Sequence, residues 1–427
     1  MCPAIMTGMD FAGEITDPVH KSIRFSQVEK EIIDTPTFQR LRRIRQLAGA
    51  HLVYPSAQHS RFEHSLGAMH VAGLAAESLL LKGYIDNPEV VQDLRLAALL
   101  HDIGHGPFSH LFEEVLEYRL KTSHEDIGKM IIAKSEIADV LRRHGCSVEL
   151  TCKLSFAPAK VTFLNEIISG ALSADIMDYL PRDGLFTGAE YAKVDYHRIL
   201  GSLEVWNNRL AINKSALNSL ESMLISRYQM FKAVYFHKTV RSAEVMLLHA
   251  MIAADEELGL TDISLRNYQN LTDEATLEKL CRAESAGSRK VAVRLASDYR
   301  DRRLLKAAYE KLLQKRGKHQ TDRKALQALG RRIAEASRVA AETVFVDASR
   351  APSMPLTPGK EEMQSILVVD RENVKEVPLS HIPLVESILG FFDMLRVYTT
   401  AESREKVERS VKKVLGDQEN LFMGGSS

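Results

Sequence analysis

The chain has 427 residues, 45% of them hydrophobic, and its 56 Lys and Arg balance 56 Asp and Glu. That length buries a large core and points to two or three subdomains, while the neutral balance argues against a dedicated polyanion-binding protein. A local basic patch stays open, so nucleic acid is not excluded as a partner. Cys2, Cys146, Cys152 and Cys281 form no Cys-x-x-Cys pair, which fits reduced thiols and a cytoplasmic protein. No basic-then-apolar leader and no run of ~18 apolar residues marks secretion or a membrane partner.

Helical periodicity dominates. Ser26 to Leu47 carries Val28, Ile32, Ile33, Phe38, Leu41, Ile44 and Leu47, with Thr35-Pro36 starting a new helix. Leu66 to Leu81 is an Ala/Leu-rich helix that opens close to His64, and Leu94 to His101 reads as a largely buried helix. Ile127 to His144, Phe163 to Tyr179 and Leu217 to Leu258 continue the pattern, the last as a long stretch with a break. Glu204 to Ile212, with Asn207-Asn208 at its middle, predicts a short hairpin. Arg300 to Arg338 reads as polar and helical, a solvated hairpin or a phosphate- or oligomer-facing surface. Glu342 to Asp347 and Ser365 to Asp370 then predict strands around a Pro-rich loop, Ala351 to Pro358, and Ser403 to Leu415 a last helix. The expected fold is mainly α. An all-helical core (1–258) precedes a basic helical extension (259–340) and a smaller C-terminal α+β appendage (341–427).

Against this background one string resists a packing explanation. His101-Asp102-Ile103-Gly104-His105-Gly106-Pro107-Phe108-Ser109-His110 places three imidazoles and a carboxylate directly after the apolar run Leu96 to Leu100. On a helix His101, Asp102 and His105 share a face, and the glycines and proline end the helix. His64 stands at the mouth of its own helix, and Asp175 is expected near the middle of an apolar one, where a carboxylate needs a partner. Imidazole and carboxylate donors together suit Mn, Fe, Zn or Ni, whereas thiolates would have indicated a structural zinc site. The pattern implies the centre of a metal-dependent hydrolase.

The order His64, His101-Asp102, Asp175 resembles the signature of the HD-domain phosphohydrolases. The wider text is similar to their dNTP triphosphohydrolase branch, which includes the sterile-alpha-motif/HD-domain dNTPases. The similarity is carried by Asp34 to Arg42, His59 to Gly67, His101 to His110, Asp178-Tyr179 with Arg182-Asp183, and Tyr235 with His237-Lys238. The resemblance implies that His64, His101, Asp102 and Asp175 hold one divalent ion (Mn, Fe, Zn, Ni or Mg), with a further Mg able to bridge substrate phosphates. Water activated there attacks the α-phosphorus of a dNTP and displaces the deoxynucleoside 5′-oxygen, leaving triphosphate. His124 matches the family's general acid, and His105 and Glu113 its catalytic partners.

Substrate positions carry over one by one. Gln46 and Asp183 match the pair that binds the sugar 3′-hydroxyl, and Tyr179 and Tyr235 the walls that crowd the 2′ position. Leu47 matches the residue beneath the base, Arg61 and Arg227 phosphate-side cations, and His110 a further substrate contact. The resemblance also implies a homo-oligomer, dimer or tetramer, under nucleotide control. Asp34, Gln39 and Arg42 match part of an activator's guanine-reading cluster, while its Lys is replaced by Gly13. Two positions depart from the branch: Ile176 stands where a phosphate-contacting Lys follows the last ligand, and Phe236 replaces a Gln. Another HD phosphohydrolase, acting on nucleoside mono- or diphosphates or a different phosphate ester, therefore stays open. Cyclic-dinucleotide hydrolysis is disfavoured by the lack of a Gly-Tyr-Pro motif.

Overall fold

The computed structural model describes residues 9–156, 162–283, 289–313, 323–349, 365–371, 373–378 and 393–416. The expected loop Ala351 to Pro358 lies outside the described residues. The chain forms two compact units, one from 1–233, 260–276 and 355–386, the other from 234–259, 277–354 and 387–427. Both are described separately, and the chain is mainly helical with a smaller sheet-containing C-terminal region.

The first unit opens with an antiparallel pair, β1 (Gly13–Asp17) and β2 (Lys21–Phe25). Helix α1 (Gln27–Ile33) starts at a capping box in which Ser26 N donates to Glu29 Oε2 at 2.8 Å. Helix α2 (Pro36–Gln39) has Thr35 as its cap and Pro36 in the first turn, where a missing N–H costs nothing. The expected helix to Leu47 does not continue: a 3₁₀ turn over Arg40–Arg43 ends it, and Arg45 bridges to Ser60. That bridge turns the chain into α3 (Arg61–Leu81), again opened by a capping box, Ser60 with Glu63. Helix α3 is buried over most of its surface and packs against α4 (Glu89–Leu100) and, later in the chain, α10 (Ala174–Thr187).

Between them run α5 (His110–Leu120), α6 (His124–Lys134), α7 (Glu136–Arg143), α8 (Val148–Ser155) and α9 (Phe163–Ile168). Ser135 ends α6 and caps α7, so the expected helix to His144 is two. The expected Phe163 to Tyr179 helix likewise breaks between α9 and α10, with Ser173 capping the second through Ile176 N. After α11 (Tyr196–Gly201), β3 (Leu203–Trp206) and β4 (Arg209–Asn213) form the expected hairpin. Its turn holds Asn207 and Asn208 at φ 49° and 61°, the left-handed pair that a two-residue hairpin requires. The strand β7 (Ser365–Asp370) lies parallel to β4, and β8 (Asn373–Pro378) pairs antiparallel with it, so both complete a sheet of the first unit. Helix α12 (Leu217–Met230) runs into a π-turn over Phe231–Tyr235, the expected break before α13 (Lys238–Leu258). Short helices α14 (Leu265–Tyr268) and α15 (Asp273–Arg282) follow.

In the second unit α13 packs against α16 (Arg289–Arg300). Strands β5 (Lys306–Leu313), β9 (Asp393–Thr399) and β6 (Val344–Ser349) form an antiparallel sheet. The expected polar helical stretch from Arg300 to Arg338 is therefore corrected: Lys306–Leu313 is a strand, and the helix is Arg323–Ser337. Ala308 joins a core with Val397 and Leu395 that helical charge counting does not see. Helix α17 (Arg323–Ser337) and α18 (Arg404–Gly416) cover the sheet with Leu329, Ile333, Val407 and Val411. Arg241 forks onto Asp347 with two bonds of 2.9 Å, tying α13 to β6.

Candidate metal centre

Each candidate ligand is delivered by a helix end. His64 sits in the first turn of α3 and Asp175 in the first turn of α10, not in mid-helix as expected. Helix α4 stops at Leu100, so His101 and Asp102 leave from its C-terminus and His105 lies in the following loop, off the helix. The sharing of a face survives, since the turn is tight enough to bring His105 Nε2 to 3.3 Å from Asp102 Oδ1.

Four residues converge. His64 Nε2 lies 3.1 Å from Asp175 Oδ1 and 3.6 Å from Asp102 Oδ2. His101 Nε2 lies 3.4 Å from Asp102 Oδ1 and 3.8 Å from Asp175 Oδ1. Both Nε2 atoms are buried, and neither makes a hydrogen bond despite facing carboxylates. Their Nδ1 atoms are committed elsewhere. His101 Nδ1 donates to the Ala98 carbonyl at 2.7 Å, and His64 Nδ1 to Asp178 Oδ2 at 2.8 Å. A carbonyl can only accept, so the proton is on Nδ1 and the Nε2 lone pair of His101 faces the cluster. Buried orphan nitrogens among carboxylates cost free energy unless a cation completes them, so this donor set fits a divalent ion.

The charges agree. Burial opposes the imidazolium of His64, but Asp175, Asp178 and Asp102 outweigh it and push its pKa up to about 10. Burial opposes the Asp102 carboxylate, yet Arg61, His101 and His105 hold it well below the usual range. A cation here replaces the His64 proton, so metal uptake releases protons.

Beside the quartet lies a second cluster. Glu113 Oε1 accepts from His124 Nδ1 at 2.5 Å, and its other oxygen faces His110 Nδ1 at 3.3 Å. Burial raises the Glu113 carboxyl, but His110 and His124 more than reverse this and leave it well below its ordinary value. The His124 ring stacks on His105, centroids 4.0 Å apart and planes 14° apart. Burial, Arg61 and His124 together drive the His105 pKa well down. Asp102, His105 and His124 also place ligand atoms close together. Two parallel stacked rings aim their in-plane lone pairs side by side, so this group suits proton handling better than a second ion.

The loop carrying this chemistry is held from outside. Arg40 is fully buried and donates to Ile103 O and His105 O, both at 2.8 Å, while Tyr268 OH donates to Gly104 O at 2.7 Å. Phe108 and Ser109 adopt φ of 59° and 55°, costly for non-glycine residues. Phe108 N donates to buried Asp273 at 2.7 Å, which offsets the strain. At Gly104 an added Cβ would sit 2.0 Å from His124 O, so only glycine lets α6 carry His124 this close.

Other expected residues scatter more. Arg61 is buried; it pairs closely with Asp102 and donates to Ser109 Oγ at 2.7 Å, so it braces a ligand. Tyr179 and Asp183 follow Asp175 at four-residue steps on α10, and burial, helped by the charges of Asp175 and Asp183, raises the Tyr179 hydroxyl pKa against the opposing charge of Arg227. Asp183 Oδ1 is bound by His59 Nε2 at 2.8 Å. Gln46 and Leu47 are half-buried, and Gln46 Oε1 has no hydrogen-bond partner. Tyr235 belongs to the second unit, at the end of the π-turn over Phe231–Tyr235. Gln39 accepts from Arg42 Nε at 2.8 Å, and Asp34 caps α1. Ile176 is buried, its side chain in the core. Sequence reasoning missed His20, Asp17, Arg40, Tyr268 and Asp273. All act through partners more than sixty residues away in the chain, so no local pattern in the sequence marks them.

The HD domain model matches residues 61–183, which contain His64, His101, Asp102 and Asp175, and the HD associated region matches 194–420, more than half of the chain. The chain belongs to the HD-domain phosphohydrolase superfamily. It is 38% identical over 288 residues to an uncharacterized protein of Methanocaldococcus jannaschii (63% of this chain, 57% of that one). With the uncharacterized protein YwfO of Bacillus subtilis it shares 37% over 273 residues (61% of each). With the deoxynucleoside triphosphate triphosphohydrolase SAMHD1 of Homo sapiens it shares 31% over 296 residues (60% of this chain, 46% of that one). The chain thus spans about half to three fifths of these relatives' length. A solved hypothetical protein from Aquifex aeolicus superposes with a TM-score of 0.74 at 30% identity, covering 94% of this chain and all of that one. Metal-dependent phosphohydrolase chemistry is what this family and this donor cluster support together.

Proposed function

We propose that the chain hydrolyses deoxyribonucleoside triphosphates to deoxynucleoside and triphosphate. The observation that carries this reading is the juxtaposition of the His64, His101 and Asp175 cluster, which Asp102 adjoins, with the Glu113–His124 pair across Asp102 and His105. A divalent ion held by His64, His101, Asp102 and Asp175 supplies Lewis-acid activation of water and of the α-phosphoryl group. Glu113 accepts from His124 Nδ1, so that in the imidazolium form Nε2 is the nitrogen whose proton passes to the leaving 5′-oxygen, returning His124 to the neutral ring. His105, kept neutral, supports that ring by stacking. Arg61 keeps Asp102 ionised and in place. Asp183, oriented by His59, and Gln46 face a sugar hydroxyl, while Tyr179 sets the preference for deoxyribose. Leu47 underlies the base, and Arg227 and His110 contribute on the phosphate side. The protein works as a homo-oligomer in the cytoplasm, with Asp34, Gln39 and Arg42 contributing to a nucleotide activator site.

A second reading keeps the metal chemistry and changes the substrate. Ile176 is buried where the dNTPase branch has a phosphate-contacting Lys, which favours a smaller phosphate ester. Incubating the metal-loaded protein with each dNTP, with and without added nucleotide activators, separates the two. Tripolyphosphate plus deoxynucleoside is expected; orthophosphate as sole phosphate product, or turnover of a monophosphate alone, assigns the second reading.

A further inference from the structure

Asp178 was part of a sequence motif with no assigned role, yet it is the most heavily bonded carboxylate near the centre. It is fully buried and accepts four hydrogen bonds, two on each oxygen. Oδ1 receives His20 Nε2 at 2.7 Å and Arg182 Nη2 at 2.8 Å. Oδ2 receives His64 Nδ1 at 2.8 Å and Arg182 Nε at 2.9 Å. Arg182 is tied in turn to Asp17 at 2.8 Å, and His20 Nδ1 to Tyr196 OH at 3.1 Å. No lone pair of Asp178 is left for a proton, so it can only accept from His64. At Gly67 of α3 an added Cβ would lie 1.7 Å from Asp178 Oδ1 and 2.5 Å from Arg182 Nη2. The glycine is the cradle that lets α10 press its Asp178–Arg182 stripe onto α3. The neighbouring stripe of α10, Asp175, Tyr179 and Asp183, thereby faces the centre.

We propose that Asp178 is a positioning residue for the metal centre. Gripped by Arg182 and His20, it fixes the proton of His64 on Nδ1 so that Nε2 is the ligating nitrogen, and it sets the height at which α10 presents Asp175. This inference rests on the reading of His64 and Asp175 as ligands. His101 is locked by a neutral backbone carbonyl, whereas His64 is locked by a carboxylate, which raises the basicity of the ligand as well as orienting it.

The test uses the full chain, stripped by chelator and titrated with Zn²⁺ against a competing chelator. Asp178→Asn is expected to bind Zn²⁺ about 10- to 100-fold more weakly than wild type. Affinity equal to wild type in a folded variant overturns the proposal. Because the variant leaves Arg182 short of a counter-charge and can fail to fold, a second measurement uses wild type alone. Nitrogen-15 histidine spectra of the Zn²⁺-loaded protein are expected to show the remaining His64 proton on Nδ1, bonded to a carboxylate; a proton on Nε2 overturns the proposal. If wild type binds no Zn²⁺ while folded, the ligand reading itself fails, and this inference falls with it. His64→Ala, expected to lose the site, marks that outcome apart from a failure of Asp178 alone.

Discussion

His105 and His124 lie face to face, their ring centroids 4.0 Å apart and their planes inclined by only 14°. One comes from the loop after α4 and the other from the first residue of α6, and Glu113 binds the second at 2.5 Å. The stack joins the donor cluster, through Asp102, to the group best placed to move a proton.

That relationship separates proton transfer from metal binding. His124→Ala is expected to keep bound metal and lose about 10²- to 10⁴-fold in turnover. Glu113→Gln should fall in the same range, because an amide cannot hold the His124 proton as a carboxylate does. Metal analysis beside single-turnover kinetics checks both, and undiminished turnover in His124→Ala removes it from the acid role.

Gly104 tests the scaffold of the same stack. A Cβ there meets His124 O at 2.0 Å and Gly128 N at 2.5 Å, both backbone atoms that cannot swing aside. Gly104→Ala should cost about 1–3 kcal/mol in thermal or denaturant unfolding and reduce turnover more than metal affinity. Unchanged stability and rate would mean that α6 yields freely.

Glu77, on α3, predicts a pH effect. Burial raises its pKa from the ordinary 4.5 to about 7, and Oε1 has no hydrogen-bond partner. The folded state then binds more protons than the unfolded chain between those values, so stability falls as pH rises through that window and the deficit persists above it. Glu77→Gln removes the deficit. Its stabilising effect should be larger near pH 8 than near pH 5, by about 1–2 kcal/mol after allowance for solvent screening. An effect that does not vary with pH contradicts the assignment.

Asp175→Ala should abolish both stoichiometric metal and turnover, since its carboxylate faces His64 and His101 together. Elemental analysis checks this, and retained metal at one ion per chain removes Asp175 from the ligand set.

The helical core, the Asn207-Asn208 hairpin and the ligand quartet were legible because they rest on local pattern: periodicity, turn chemistry and a string of imidazoles after an apolar run. What holds the quartet was not. Arg40, Tyr268 and Asp273 grip the His101 to His110 loop from far away in sequence, and a buried arginine reads the same as an exposed one until the fold is known. Asp175 reads as mid-helix because the apolar residues before it suggest continuity, whereas Ser173 caps a new helix there. The strand Lys306–Leu313 was hidden by its lysines, which line an edge while Ala308 faces the core.

Attack on the α-phosphorus of a dNTP breaks the bond between that phosphorus and the 5′-oxygen, and isotope placement reads out which bond is cleaved. Hydrolysis in ¹⁸O-water, followed by mass analysis of both products, should place the label in triphosphate and none in the deoxynucleoside. Label in the deoxynucleoside hydroxyl, or in orthophosphate released from the γ position, would contradict the account.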